Sequence, residues 1–169
     1  MATNLSVKDQ SKKELSVTRL LNAPIDLVWK TWTEAEHILR WWGPKDYTSP
    51  TCKIDLRVGG KYLFCMRAPA YQGGQDFYST GVFQKIVPQE RLEFTQCLSD
   101  PQGNVLDPVQ VGMPPDFPKE TFMVVVFKAV GAKTELTITG SDWREGQMFE
   151  MAVMGWNQSL DKMEQALAA

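Results

Sequence analysis

A chain of 169 residues with 18 lysines and arginines against 20 aspartates and glutamates fits one domain with a real core, because a domain of this length buries about 70% of its unfolded surface. The near balance of charge excludes the basic footprint that phosphate backbones and anionic bilayers demand. With no apolar run of signal-peptide or membrane-span length, the chain is expected to be cytoplasmic, with neither nucleic acid nor a membrane span.

Residues 1–13 are polar and aperiodic and read as a flexible tail before a domain over 14–169. The segment "ELSVTRLLNA" has the Val, Thr and Leu content of a first strand. "APIDLVWKTW" opens a helix with Pro24 at its first position and Ile25, Val28, Trp29 and Trp32 on one face. Thr33 and Glu36 have the spacing of a capping box, which starts a second short helix that Gly43-Pro44 stops. His37, the only histidine, sits in that helix as a solvated or capping residue. A single imidazole leaves little room for histidine-based triads or metal sites.

Two adjacent tryptophans close this region, and one helix face cannot bury both, since neighbouring residues point about 100° apart. Trp42 shares a face with Ile38 and Ala35 and is expected under the sheet. Trp41 points elsewhere, either to a cavity mouth or to an ordinary surface contact.

Six runs of alternating character follow: "TCKIDLRV", "KYLFCMRA", "DFYSTGVFQKIV", "RLEFTQCL", "TFMVVVFKAV" and "TELTITG". No long helix separates them, which predicts an antiparallel meander. At Gly59-Gly60 a three-residue turn would place Ile54 and Leu56 on the side of Tyr62, Phe64 and Met66, with Lys53, Asp55 and Arg57 in water. Cys52, Cys65 and Cys97 are odd in number and widely spaced, so they read as buried apolar residues rather than disulfides or metal ligands. The stretch at 99–118 carries prolines 101, 108, 114, 115 and 118 and reads as an insertion loop, either a lid or a plain surface excursion.

From about Glu145 the period becomes helical, with Phe149, Val153, Trp156, Leu160, Met163 and Leu167 at steps of four and three. Between Gln147 and Trp156 this helix is apolar on nearly all sides and should be covered all round. Gly155 inside it costs about 1 kcal/mol relative to alanine, which close approach to a neighbouring element would offset.

The element order, an α+β chain with two short helices between strands one and two, about seven curved antiparallel strands and a long final helix, resembles the helix-grip fold of the START and birch-pollen-allergen (SRPBCC) superfamily. More narrowly, "APIDLVWKTWTEAEHILRWWGP", "IDLRVGGKYLFCMRAP", "GVFQKIVPQERLEFT", "KTELTIT" and "MGWNQSLDKMEQAL" resemble the family named after the activator of the heat shock protein 90 ATPase, in single-domain form. The resemblance implies a cavity between sheet and helix that takes an apolar or amphipathic molecule, lipid-like or polyketide-like, with no cofactor or metal. The residues expected to line it are Trp41, Tyr62, Phe64, Met66 and Tyr78. Strand alternation adds Phe94, Gln96, Met123, Val125 and Phe127, and the adaptable methionines Met148, Met151 and Met154 complete the set.

Two alternatives stay open. An enzyme of polyketide-cyclase type would draw on Tyr62, Tyr78 or Asp142, although Gly140 stands where relatives commonly carry a histidine. A chaperone-associated module is the other, and it is disfavoured as a partner reading: the eukaryotic activators have a separate amino-terminal domain, where this chain has a short tail. An open sheet edge leaves a homodimer possible.

Overall fold

The computed structural model describes residues 12–169. Most of the expected 1–13 tail lies outside them, and Lys12 and Lys13 already belong to the first strand. In chain order the elements are β1 (Lys12–Leu21), α1 (Ile25–Thr33), α2 (Ala35–Ile38), β2 (Cys52–Ile54), β3 (Lys61–Arg67), β4 (Asp76–Val87), β5 (Arg91–Ser99), β6 (Thr121–Val130), β7 (Lys133–Arg144) and α3 (Gln147–Ala168). One seven-stranded sheet runs β1-β7-β6-β5-β4-β3-β2, antiparallel at every pairing. This is the α+β helix-grip order expected from the sequence.

The helical corner departs from the expectation in detail. Pro24 is the N-cap of α1, extended at φ −69°, and its carbonyl accepts from Leu27 N and Val28 N at 3.1 Å. Thr33 closes α1 instead of capping α2. Its hydroxyl donates to Trp29 O at 2.8 Å, so the capping box does not form, and the N-cap of α2 is Glu34 without a side-chain bond. A hydroxyl already inside a helix finds the carbonyl four residues back closer than any amide ahead. α2 is a single turn that ends at Ile38, well before Gly43.

The β2–β3 register is the expected one, with Ile54 opposite Tyr62, but the turn is longer than three residues. Gly59 N donates to Phe83 O at 2.8 Å and Phe83 N to Gly60 O at 3.0 Å, so β4 stitches both glycines to itself. The chain reverses over 55–59 instead. Leu56 is consequently 37% exposed rather than inward, while Lys53, Asp55 and Arg57 are exposed as expected.

Besides a register shift of β4 against β5 between Phe83 and Lys85, two local irregularities bend the sheet. At Gly81 the β4–β5 ladder opens: pairing runs through Thr80–Cys97 and resumes at Phe83–Phe94. In the gap, Tyr62 Oη donates to Thr95 O at 2.7 Å and Val82 N donates to Thr95 Oγ1 at 3.0 Å. A side chain at Gly81 would place its Cβ 1.7 Å from Thr95 O and 2.9 Å from the Tyr62 hydroxyl. Only a residue without Cβ permits this corner.

The second irregularity lies in β7, where the register against β1 shifts between Leu15–Gly140 and Lys13–Trp143 and Asp142 takes φ +65°. Such a bulge reverses which residues face inward.

The core fills the concave face of the sheet. Leu15, Leu92, Val125, Leu136, Ile138, Leu160 and Met163 are 0–1% exposed, and each contributes roughly 1.5–3 kcal/mol of burial. Gly81→Ala is expected to destabilise the protein by more than about 3 kcal/mol, because backbone cannot yield as a side chain does. Urea unfolding midpoints measure this, and a variant within about 1 kcal/mol of the wild type would show that the corner tolerates a Cβ.

Candidate functional site

α3 is gripped unevenly. In its second half Ser159, Leu160 and Met163 are buried, whereas no residue of the first half is. Met151 is 48% and Met154 55% exposed, which corrects the expectation that the stretch Gln147–Trp156 is covered all round. Among the described residues no second layer covers the apolar side chains on the outer side of α3.

Beneath that loosely held half lies a cavity of two adjoining chambers. The larger, about 240 Å³, is walled by Met148, Met151, Ala152, Gly155, Trp156 and Ser159 of α3 and by Trp42, Gly43 and Pro44 of the loop after α2. The smaller, about 140 Å³, runs along β4 and β5 past Phe77, Tyr78, Ser79, Cys97 and Leu98 to Pro118 and Thr121. Trp42, Met66, Gln96, Phe117 and Trp143 border both.

Of the thirteen residues expected from sequence, Met66 and Gln96 therefore border both chambers, Met148 and Met151 the larger, and Tyr78 the smaller. Met154 flanks a shallow outer groove with Tyr47 and Tyr71. The other seven do not line the cavity. Tyr62, Phe64, Phe94, Met123, Val125 and Phe127 face inward but lie in the filled part of the core, where Tyr62, Phe64, Phe83 and Phe94 pack ring to ring at 4.4–5.8 Å.

Trp41 is neither at a mouth nor on the surface. It is 0% exposed, and its indole Nε1 donates to Thr31 O at 2.9 Å. Both members of the pair are core residues: Trp42 packs on Phe64 of β3 as expected and also borders the cavity, while Trp41 is enclosed as well, because α2 ends before either of them and the helical-face argument lapses.

The candidate acid–base groups are also redistributed. Tyr62 is wholly buried, its hydroxyl committed to Thr95, and burial, followed by the proximity of Cys97, pushes its pKa well up. Asp142 is exposed, accepting from Ser141 Oγ at 2.7 Å. Strand parity places Asp142 on the side of Ile138 and Gly140, but the bulge turns Trp143 inward in its stead. A Cβ at Gly140 would sit 2.9 Å from Met123 Sδ, so a side chain there would require Met123 to shift. His37 lies beside Glu34 at 3.4 Å, away from the cavity walls.

Sequence reading missed Trp42, Trp143 and Phe117, three of the aromatic walls. Phe117 arrives from the 99–118 segment, whose folded parts are a 3-10 turn at Pro108–Val111 capped by Asp107 and an isolated bridge from Ser99 to Val105. Its ring meets Trp143 edge-on at 5.4 Å. The opposite wall is held by Lys162 of α3, whose ammonium donates to Gly43 O, Pro44 O and Tyr47 O at 3.0, 3.4 and 2.8 Å. Burial lowers the Lys162 pKa, and Asp46 offsets part of that effect.

Neither chamber is lined by a charged side chain. Among the described residues no group of three or more His, Cys, Asp or Glu side chains could hold a metal ion, and no helix is long and apolar enough to cross a membrane. The cysteines are free, two of them buried. Burial pushes the Cys52 thiol up to about 12; burial, then Glu120, pushes Cys97 up to about 11. Neither is a thiolate nucleophile at neutral pH.

Two measurements follow from this geometry. Lys162→Met is expected to cost about 1–3 kcal/mol by orphaning three carbonyls and to speed hydrogen exchange at Tyr47 and Thr48; unchanged exchange there would mean the lysine does not hold the loop. The folded chain keeps the Cys97 proton that the unfolded chain releases from about pH 9, so this thiol's contribution declines as pH rises from about 9 to about 11. Urea unfolding of wild type and Cys97→Ala should show wild type losing ground across that window, and a flat or rising difference would contradict the assignment.

Comparison with known proteins places this geometry in a lineage. No curated protein matches the chain by sequence. Among solved structures, a protein from Nitrosomonas europaea is 25% identical, with 92% of this chain and 94% of that one covered at a TM-score of 0.72. One from Chromobacterium violaceum is 21% identical, with 92% and 97% covered at 0.72, and the AHSA1 protein of Silicibacter pomeroyi is 19% identical, with 92% and 98% covered at 0.71. The family model described as Activator of Hsp90 ATPase homolog 1-like protein matches residues 22–168. With nearly every described element inside that match, the chain belongs to the Activator of Hsp90 ATPase homolog 1-like family.

Proposed function

We propose that this protein binds a small apolar or amphipathic molecule in the cavity between the curved sheet and the first half of α3. One observation carries the reading: an amphipathic helix normally buries its apolar stripe completely, yet here Met148, Ala152 and Trp156, which pack against the core on one side, stay only half-buried and border an apolar chamber on the other. Membership of a family whose fold suggests ligand binding agrees with it.

Gly155 supports the same reading. Close approach to a neighbour does not account for this glycine, since a Cβ would meet only Pro44 Cβ at 3.9 Å, an ordinary contact. The glycine lies on the chamber wall, so its missing side chain leaves volume open at a cost in helix stability.

Gly155→Ala is therefore expected to stabilise the fold by about 0.5–1 kcal/mol while narrowing the chamber. Ala152→Phe should fill it. Titration with an apolar fluorescent dye, read also as a ligand-dependent rise in melting temperature, tests the proposal. Binding by the wild type that Ala152→Phe abolishes supports it; no binding by the wild type, or binding that Ala152→Phe leaves intact, refutes it.

A further inference from the structure

Resting on the binding reading above, the arrangement of polar groups narrows the kind of molecule that the cavity accepts. The larger chamber is walled mainly by indole and phenyl rings and methionine side chains, with Gln96 at the border it shares with the smaller and Ser159 bonded to its own helix as its polar members. The smaller has a different character. Ser79, Gln96 and Thr121 lie on adjacent strands, each on the concave face by register: Ser79 is opposite Phe64 and Leu98, Gln96 is opposite Thr121, and Phe94, two residues before Gln96, is opposite Met123. Ser79 and Thr121 are 8% and 5% exposed.

The surrounding side-chain bonds are directed elsewhere. Ser159 Oγ donates to Gly155 O at 2.9 Å, Thr80 Oγ1 to Tyr62 O at 2.7 Å, and Ser141 Oγ to Asp142, so none of these reaches Gln96. The charges beside the chambers are engaged in bonds of their own: Arg67 with Asp76 at 2.6 Å, Glu120 with Cys97 Sγ at 3.6 Å, and Lys162 with the carbonyls of Gly43, Pro44 and Tyr47 behind the larger chamber's wall.

A primary amide flanked by hydroxyls can donate and accept at once, and inside a low-dielectric cavity such groups gain most from a partner and lose most without one. A carboxylate or ammonium would find hydrogen bonds but no counter-charge lining either wall, and would recover only part of its desolvation cost. We infer that the ligand is an uncharged amphiphile, its apolar body in the Trp42–Trp156 chamber and a hydroxyl, carbonyl or carboxamide end on Gln96 in the chamber beside Ser79 and Thr121. Anionic amphiphiles such as fatty acids bind more weakly for want of a cationic side chain on the walls.

Three probes of one shape separate the terms: naphthalene, 2-naphthol and 2-naphthoate, titrated calorimetrically at neutral pH into the purified full chain and into Gln96→Leu. The expected result is that 2-naphthol binds about tenfold tighter than naphthalene, the worth of one or two buried hydrogen bonds, and that 2-naphthoate is the weakest. Gln96→Leu should bring 2-naphthol down to the affinity of naphthalene without weakening naphthalene itself. The inference is overturned if 2-naphthoate binds as tightly as 2-naphthol, if 2-naphthol gains nothing over naphthalene, or if Gln96→Leu preserves the gain. Failure of all three probes, naphthalene included, overturns the binding reading as well and so is distinguishable. Should Gln96→Leu not fold, the ranking on the unmodified chain decides the matter.

Discussion

The burial of Trp41 is the constraint on which the site depends. Its indole is fully enclosed, donates to the last turn of α1 through Thr31 O, and packs against Trp32 at 4.7 Å. A buried indole N–H without a partner is costly, so this one bond fixes where the chain leaves α2. With Trp41 committed inward, the next residue is turned another way, and Trp42 meets Phe64 at 4.7 Å and Trp156 at 5.7 Å. That places Trp42 on the border between packed core and cavity. Gly43 and Pro44 then continue the wall, held by the ammonium of Lys162.

The cavity exists because the sheet closes on only half of the helix. The corner at Gly81, where a tyrosine hydroxyl and a threonine side chain stand in for ladder bonds, brings Tyr62, Phe83 and Phe94 together and fills the interior in that part of the sheet. The bulge at Asp142 acts in the opposite part, turning a tryptophan inward as a rim rather than as filling. Packing density in protein interiors leaves little void by default, so an apolar space flanked by a helix-interior glycine is a cost the fold sustains rather than an accident of loose packing.

The chemistry available in that space is correspondingly restrained. Of the titratable groups that a catalytic reading would draw on, Tyr78 lines the smaller chamber, whereas Tyr62 is committed to a backbone carbonyl, Asp142 lies on the exterior, and Cys52 and Cys97 are held protonated by burial. What remains facing the chambers is aromatic surface, methionine and a few neutral hydrogen-bonding groups. Recognition by shape and by a small number of neutral polar contacts is what such walls can perform.

Local pattern determined most of the architecture by itself. Alternation in β3 to β7 and the 3.6-residue period of α3 specified the elements, their antiparallel order and the inward set of Phe64, Phe94, Val125 and Ile138, because each follows from neighbours within a few residues. Met66, Gln96 and Met148 were legible as wall residues on the same grounds. The tertiary structure alone decided which inward residues pack and which face open space, since that depends on how far sheet and helix diverge. It also decided the enclosure of Trp41, the displacement of Asp142 by Trp143, and the arrival of Phe117. A helix that ends at Ile38 instead of at Gly43, a single bulge that reverses parity, and a contact across more than 20 positions of sequence all lie outside what periodicity carries.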